Sequence, residues 1–294
     1  MRKPRVSGRA GRTICMGDDG GTTAMKLKIW QVDAFASKPL EGNPAAIVPL
    51  AKFPDAAVMQ KIAGENNLSE TAFIVFTAPG QYDLRWFTPE AEVELCGHAT
   101  LATAWLLFEE LDTELKQVTF NTRSGPLTVD RGRDGNHVMS LPADPVSPFV
   151  APAGFAKALG EALGIAPPSE IHKGRYIMAV WDKAADIRAI KPSGDVGRVL
   201  RGAGSWGLIA TAPGDGGYDF VSRFFAPDKG VFEDPVTGSA HCALTPYWAK
   251  RLGRKRLKAR QASPRGGDVI CADEGERILL SGPCALYLRG EIVI

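Results

Sequence analysis

The sequence predicts an α+β protein built from two similar halves. Short strand-like segments dominate, punctuated by turn residues (Gly 32 and Pro 21 in 294 residues). The two strongest helical patterns, at 97–110 and 237–251, stand far apart in the chain. Each follows nearly the same hexapeptide: Arg85-Trp86-Phe87-Thr88-Pro89-Glu90 in one case, Arg223-Phe224-Phe225-Ala226-Pro227-Asp228 in the other. Strands without regular βαβ alternation argue for α+β, and a repeated strand, Pro-acid turn and helix argues for a duplicated unit.

Taken in order, 27–35 alternates as a strand, Gly42-Asn43-Pro44 makes a turn, and 45–48 is a second short strand. A helix is predicted at 55–63, with a carboxylate in its first turn. Strands follow at 71–76 and 82–87, and then the helix at 97–110, with Leu101, Ala104, Trp105 and Phe108 on one face. Further strands are predicted at 117–120, 126–129 and 137–141, a helix at 154–163, and strands at 175–180, 207–210 and 218–225. After the helix at 237–251 the chain returns to strands, the last at 285–294, which is expected to come back to the first. The two strong helices carry His98-x-x-Leu101-x-x-x-Trp105 and His241-x-x-Leu244-x-x-x-Trp248. The linkers before them differ by about one helical turn, so the true register can be shifted by four residues. The expected domains are 25–124 plus 282–294 for the first and 125–281 for the second, after a flexible N-terminal extension at 1–24.

That extension holds five cations against two acids, a net +3, which leaves −1 for the remainder. It lacks the apolar core of a secretory signal and reads as a poorly ordered tail, or as the product of a start placed ahead of Met25. The net charge of +2 is too small to argue for nucleic acid, and no stretch reaches the ~20 apolar residues of a membrane span. The five cysteines are odd in number and form no C-x-x-C pair, which argues against a disulfide framework or zinc ribbon and fits a reducing cytoplasm.

Three segments can carry chemistry. In Asn67-Leu68-Ser69-Glu70-Thr71-Ala72-Phe73, Glu70 stands at the mouth of an apolar strand. Lost solvation there would raise its pKa toward what a general acid/base needs; the bland alternative is a strand-edge glutamate in water. Glu94-Leu95-Cys96-Gly97-His98 opens the first strong helix. Gly97 allows a ligand near the backbone, the helix N-terminus favours an anion, and His98 can donate or relay a proton; a capped helix with buried Cys96 and a bonded His98 is the alternative. Glu233-Asp234-Pro235-Val236-Thr237-Gly238-Ser239 opens the second helix and is good helix-start chemistry as well as a possible carboxylate cradle. Two such N-termini, one per half, could grip one small anion and leave proton transfer to Glu70.

These segments, NLSETAF, ELCGHAT and EDPVTGSA, together with the opening QVDAF and the turn GNPAA, resemble the PhzF-like (phenazine biosynthesis F) isomerases from Lys26 to Ile294. The resemblance implies the diaminopimelate epimerase fold, in which two pseudo-symmetric domains each wrap strands round a central helix with the site in the cleft between them. It implies a homodimer and a cofactor-free, metal-free isomerase acting on a small carboxylate-bearing substrate, dihydro-hydroxyanthranilate in characterised members. By position it places catalytic roles on Glu70, His98 and Asp234, and substrate binding on Gly97, Gly238 and Ser239. In related racemases two cysteines act as paired bases. Cys96 matches the first, but Pro235 stands at the second, so a cysteine-dependent racemase is the weaker reading and Cys96 is read as packing. A binding protein that kept the cleft and lost turnover is the other rival.

Several signals are set aside. Ala203-Gly204-Ser205-Trp206-Gly207 falls short of the hydrolase elbow. His241-Cys242 lacks spaced partners for a metal. The basic run at 254–260 follows a helix end, where cations suit the dipole.

Overall fold

The computed structural model describes residues 25–294; the expected N-terminal extension lies outside the described residues. The first half runs β1 (Lys26–Ala34), β2 (Asn43–Leu50), α1 (Ala56–Asn66), β3 (Glu70–Ala78), β4 (Gln81–Phe87), β5 (Glu92–Val93), α2 (Gly97–Leu106), β6 (Gln117–Thr122), β7 (Gly125–Asp130), β8 (His137–Pro142) and β9 (Ser147–Pro148). The second runs α3 (Phe155–Leu163), β10 (Glu170–Lys173), β11 (Ile177–Val180), α4 (Ala184–Ala189), α5 (Val196–Gly202), β12 (Leu208–Pro213), β13 (Phe220–Ala226), β14 (Val231–Asp234), α6 (Gly238–Leu252), β15 (Arg256–Gln261), β16 (Gly267–Asp273) and β17 (Arg277–Gly282), after which β18 (Cys284–Val293) rejoins the first.

The duplication is explicit in the ladders. In the first half β2 pairs parallel with β3, β3 antiparallel with β4, β4 parallel with β6, and β6 antiparallel with β7. In the second, β11–β12, β12–β13, β13–β15 and β15–β16 repeat that order and those directions. The hexapeptides end β4 and β13, and each arginine makes a two-pronged bond to the acid of the next short strand: Arg85 to Glu92 at 2.7 and 2.8 Å, Arg223 to Glu233 at 2.6 and 2.8 Å. The halves are joined by an antiparallel β8–β17 ladder, and β18 returns to pair with β1 along its length, as expected of the last strand. The expected boundary at 124/125 falls at the turn of the β6–β7 hairpin, whose strands pair throughout; we propose to count both β7 and β8 with the first half.

Each strand set wraps one helix. α2 lies against β1, β2, β3 and β8, α6 against β15, β16 and β17, and the two helices also touch each other. One apolar core therefore runs through both halves, with Trp86 and Trp248 among its fully buried side chains. Smaller clusters sit under α1 and under α3–α5 on the outside. α4 and α5, six and seven residues long, go beyond what the sequence predicts, because two turns give too little periodicity to show. The predicted 97–110 helix widens after Leu106 into a π turn at Leu107–Leu111. Pro246 sits inside α6 and has no N–H for the carbonyl of Cys242, which instead accepts the backbone N–H of Asp144 at 3.1 Å.

The helical echo is two residues out of register. The structure sets Gly97 against Gly238, not His98 against His241: a Cβ at Gly97 would come within 3.4 Å of the Gly238 Cα. The first turns of α2 and α6 meet at two glycines because nothing larger fits without displacing its neighbour.

Candidate active site

Glu70 is the first residue of β3, level with Ala45 of the parallel β2. The chain reaches it from α1 through Asn67, whose left-handed conformation (φ 48°) turns it sharply onto the strand. Burial strips water from the carboxyl. Its pKa is pushed up to about 8, first by burial and second by the nearby charge of Asp234, while a hydrogen bond with the Cys96 thiol pulls it down. A general acid/base near neutral pH needs a value in this range.

The starts of α2 and α6 form the other wall. Their N-caps, Cys96 and Thr237, are extended, and neither side chain bonds back to its own first turn. The first N–H groups and the positive end of each dipole thus remain available at the Gly97–Gly238 contact, as an anion site requires. Ser239 follows Gly238, and its Oγ lies 3.0 Å from the hydroxyl of Tyr176.

Asn43 ties the halves together and was not singled out from sequence. Glycine at 42 is required there: with φ +62°, a Cβ would lie 2.1 Å from the Ala34 carbonyl oxygen. The turn thus delivers the fully buried Asn43 side chain to the cleft floor. Its amide nitrogen lies 2.8 Å from Asp234 Oδ1, 2.9 Å from the Val236 carbonyl oxygen and 3.1 Å from His98 Nδ1. Two hydrogens serve three acceptors, so the bonds are shared. Cys96 Sγ also approaches His98 Nδ1, at 3.5 Å, and Nε2 faces Glu70. Burial holds His98 near a pKa of about 3, so the ring is neutral at physiological pH. Glu70 Oε2 lies 3.1 Å from His98 Nε2. The pair is not aligned as a hydrogen bond, which leaves both buried atoms with bonding capacity to spare.

Asp234 accepts from Asn43 and from the Thr237 hydroxyl at 2.6 Å. Burial raises its pKa to about 6, against the pull of those two donors. With Asp234 near 6 and Glu70 near 8, the two carboxyls together hold about one proton near neutrality.

The structure therefore brings Glu70, His98, Asp234, Gly97, Gly238 and Ser239 to one cavity of about 560 Å³ between the halves. Cys96, read as packing, also lines it and touches Glu70. Burial and the Glu70 charge push the Cys96 thiol well above its usual range, so it is a protonated neighbour and not a thiolate. Ligand atoms of Glu70, Cys96 and His98 lie within 4.8 Å of one another, a spacing that could suit a metal ion. Thr237, of the second helix start, also lines the cleft, as does Tyr176, which the sequence did not flag.

The profile of phenazine biosynthesis-like proteins matches residues 32–290. The chain belongs to the PhzF-like family. It is 49% identical over 268 residues to an uncharacterised isomerase of Pseudomonas aeruginosa, covering 91% of this chain and 99% of that one. Among solved structures, a PhzF-family phenazine biosynthesis protein of Enterococcus faecalis superposes with a TM-score of 0.83 at 40% identity, covering 92% and 100% of the two chains. A hydroxyproline epimerase of Agrobacterium vitis, solved with trans-4-hydroxy-L-proline, shares the fold alone: TM-score 0.57 at 10% identity, over 92% and 93% of the two chains. As a PhzF-like isomerase with an epimerase fold, the protein has the expected α+β architecture, and no helix among the described residues is long and apolar enough to cross a membrane.

Proposed function

We propose that the protein moves a proton on a small carboxylate-bearing substrate without a cofactor, with Glu70 as the acid/base. The observation that carries this reading is a buried carboxyl, raised to about 8, at the junction of two uncapped helix N-termini. The first-turn N–H groups at Gly97 and Gly238, with Ser239, hold the substrate carboxylate. Ionised Glu70 takes a proton from the adjacent activated carbon and returns it elsewhere on the same skeleton. His98, neutral, positions the substrate beside Glu70. Asp234, held by Asn43 and Thr237, orients the substrate and helps shuttle the proton.

The test is proton NMR in heavy water with trans-2,3-dihydro-3-hydroxyanthranilate, comparing wild type with Glu70→Gln. Isomerisation with deuterium uptake by wild type alone is expected; turnover retained in Glu70→Gln would overturn the role of Glu70. Because the ionised form starts the reaction, kcat/KM is expected to rise with pH through about 8. A cysteine-dependent racemase would instead lose its rate on Cys96→Ala; full rate in that variant is expected here, given Pro235 at the second position. The same reading places the protein in the cytoplasm as a homodimer, for which light scattering is expected to give twice the 31.5 kDa of one chain.

A further inference from the structure

The ladders end in two very different edge strands. β9 is two residues long and closes on Pro148, and its partner is β10. β18 is ten residues long without a proline, and its ladder partner among the described residues is β1. A long edge presents unpaired N–H and C=O groups that recruit another strand; short strands, prolines and bulges blunt that tendency. β18 carries one bulge, near Tyr287, where the register shifts between Gln31 and Val32 of β1. From Leu288 to Val293 its pairing is regular.

The outward backbone groups of that stretch can be assigned. Met25 and Ile294 exchange both backbone hydrogen bonds, at 2.6 and 2.9 Å. Bonded and non-bonded pairs alternate along an antiparallel ladder, so Ile292, Gly290 and Leu288 also turn their N–H and C=O groups to β1. Arg289, Glu291 and Val293 turn theirs away from it. The side chains here are in water: residues 287–294 are all exposed save the half-buried Ile292. Tyr287, Leu288, Val293 and Ile294 thus form a row of exposed large apolar side chains along an open edge.

This strand is complementary to itself. Outward groups can bond only to outward groups, so a second β18 laid antiparallel must place the two-fold axis on a residue. With the axis at Arg289, two arginines stand directly opposite. With the axis at Glu291, two glutamates do. With the axis at Gly290, Arg289 of each copy stands opposite Glu291 of the other and exchanges both backbone bonds with it, while Leu288 faces Ile292. Opposite charges across an antiparallel pair stabilise it and like charges destabilise it. Within one chain Arg289 also meets Glu110, and Glu291 meets Lys26 at 3.4 Å. The Gly290 register therefore continues a row of alternating sign: Glu110, Arg289, then Glu291 and Lys26 of the second copy.

We infer that two copies of this chain join edge to edge through β18, antiparallel about a two-fold axis at Gly290, so that their sheets become one. This rests on the homodimer expected above and names its face and register. No residue of β18 lines the cleft, so the proton-transfer reading stands apart from it.

The test is sedimentation equilibrium of wild type, Glu291→Arg, Arg289→Glu and an equimolar mixture of the two variants. Wild type is expected to be a dimer of 31.5 kDa chains. Each variant alone sets like charges opposite and should raise the dimer Kd at least about tenfold. The mixture should regain the wild-type affinity, because every arginine of one variant then faces an acid of the other. A merely damaged strand would not be rescued by mixing. Gly290→Cys reads the register directly: Cα atoms of a non-bonded pair lie about 4.5 Å apart, within disulfide range, and a Cβ at 290 makes only ordinary contacts, 3.4 Å to Leu288 and 3.6 Å to Ile29. Under mild oxidant this variant should give a double-mass band on a non-reducing gel where wild type gives none. If Arg289→Glu does not fold beside Glu110, Glu291→Arg and the Gly290→Cys cross-link carry the test. A wild-type dimer that the single variants leave intact, weakened dimers that mixing does not restore, or no Gly290→Cys cross-link would each overturn the inference and leave the homodimer itself standing. A wild-type monomer would overturn both. Failure of the isomerase reading is seen separately, in the heavy-water assay.

Discussion

The two halves share one scaffold and divide the chemistry. Phe87 and Phe225 close the equivalent hexapeptides, and the ladders pair Thr71 with Phe87 and Leu208 with Phe225. The residue before each partner is therefore equivalent: Glu70 in the first half, Gly207 in the second. Where one half places an acid, the other has no side chain, and the space is filled by Tyr176, whose ring would lie 2.7 Å from a Cβ at Gly207. The same exchange occurs one layer on, where Cys96-Gly97-His98 faces Thr237-Gly238-Ser239. The first half supplies Glu70, Cys96 and His98; the second supplies Asp234 with the hydroxyls of Thr237, Ser239 and Tyr176. A duplicated fold thus supplies two helix ends for one anion, and divergence around them separates reaction from recognition.

That division can be broken in a defined order. Glu70→Gln is expected to lower the isomerisation rate by roughly 10²–10⁴-fold, whereas Ser239→Ala, on the recognition side, should raise KM several-fold and leave kcat near its value. Equal losses of kcat in both variants would erase the distinction. Asn43→Ala strikes both sides at once, since it removes donors from Asp234 and His98 together. It should cost about 2–3 kcal/mol in urea unfolding, because a buried carboxylate loses a partner. Gly238→Ala inserts a methyl group 3.3 Å from the Gly97 Cα; a KM increase of about tenfold is expected, with a smaller change in kcat.

The next effect is on stability. Glu70 has a folded pKa near 8, above the ordinary 4.5. The folded state therefore binds more protons between these values, and the contribution is full below 4.5 and lost as pH rises through about 8. Glu70→Gln removes that loss, so its melting temperature should exceed that of wild type by roughly 2–6 °C at pH 9, with little difference at pH 4.5. The buried His98, His137 and His241, held near 3, 4 and 4, act in the opposite sense: their stability is present above 6.5 and lost as pH falls toward 4. Smallest of all, Tyr176→Phe removes one hydroxyl from Ser239 and should change KM by two- to fivefold. A larger fall in kcat than in affinity would move Tyr176 to the reacting side.

What the sequence disclosed follows from where each signal resides. Glu70 was legible because it begins a run of apolar strand residues, a local pattern. The glycine–helix starts were legible for the same reason, and the hexapeptide echo revealed the duplication. Asn43 was not, since its role depends on contact with Asp234, 191 positions away, and a turn asparagine looks alike with or without that contact. Cys96 was read as packing because burial and a place in the cleft are compatible, and only the fold shows that it has both. The helical echo misled by two residues because His, Leu and Trp recur on many amphipathic helices, while the true register is set by two glycines with no side chain to notice.

The return of β18 to β1 has a consequence during synthesis. β1 is made long before its partner, residues Cys284–Val293. The β8–β17 ladder imposes the same wait on the junction between the halves. Until the final stretch is released, the first half has an unpaired edge and the cleft has no far wall. During that interval the edge of β1 is open to pairing with another chain. Removing the last ten residues would leave the finished molecule in a similar state.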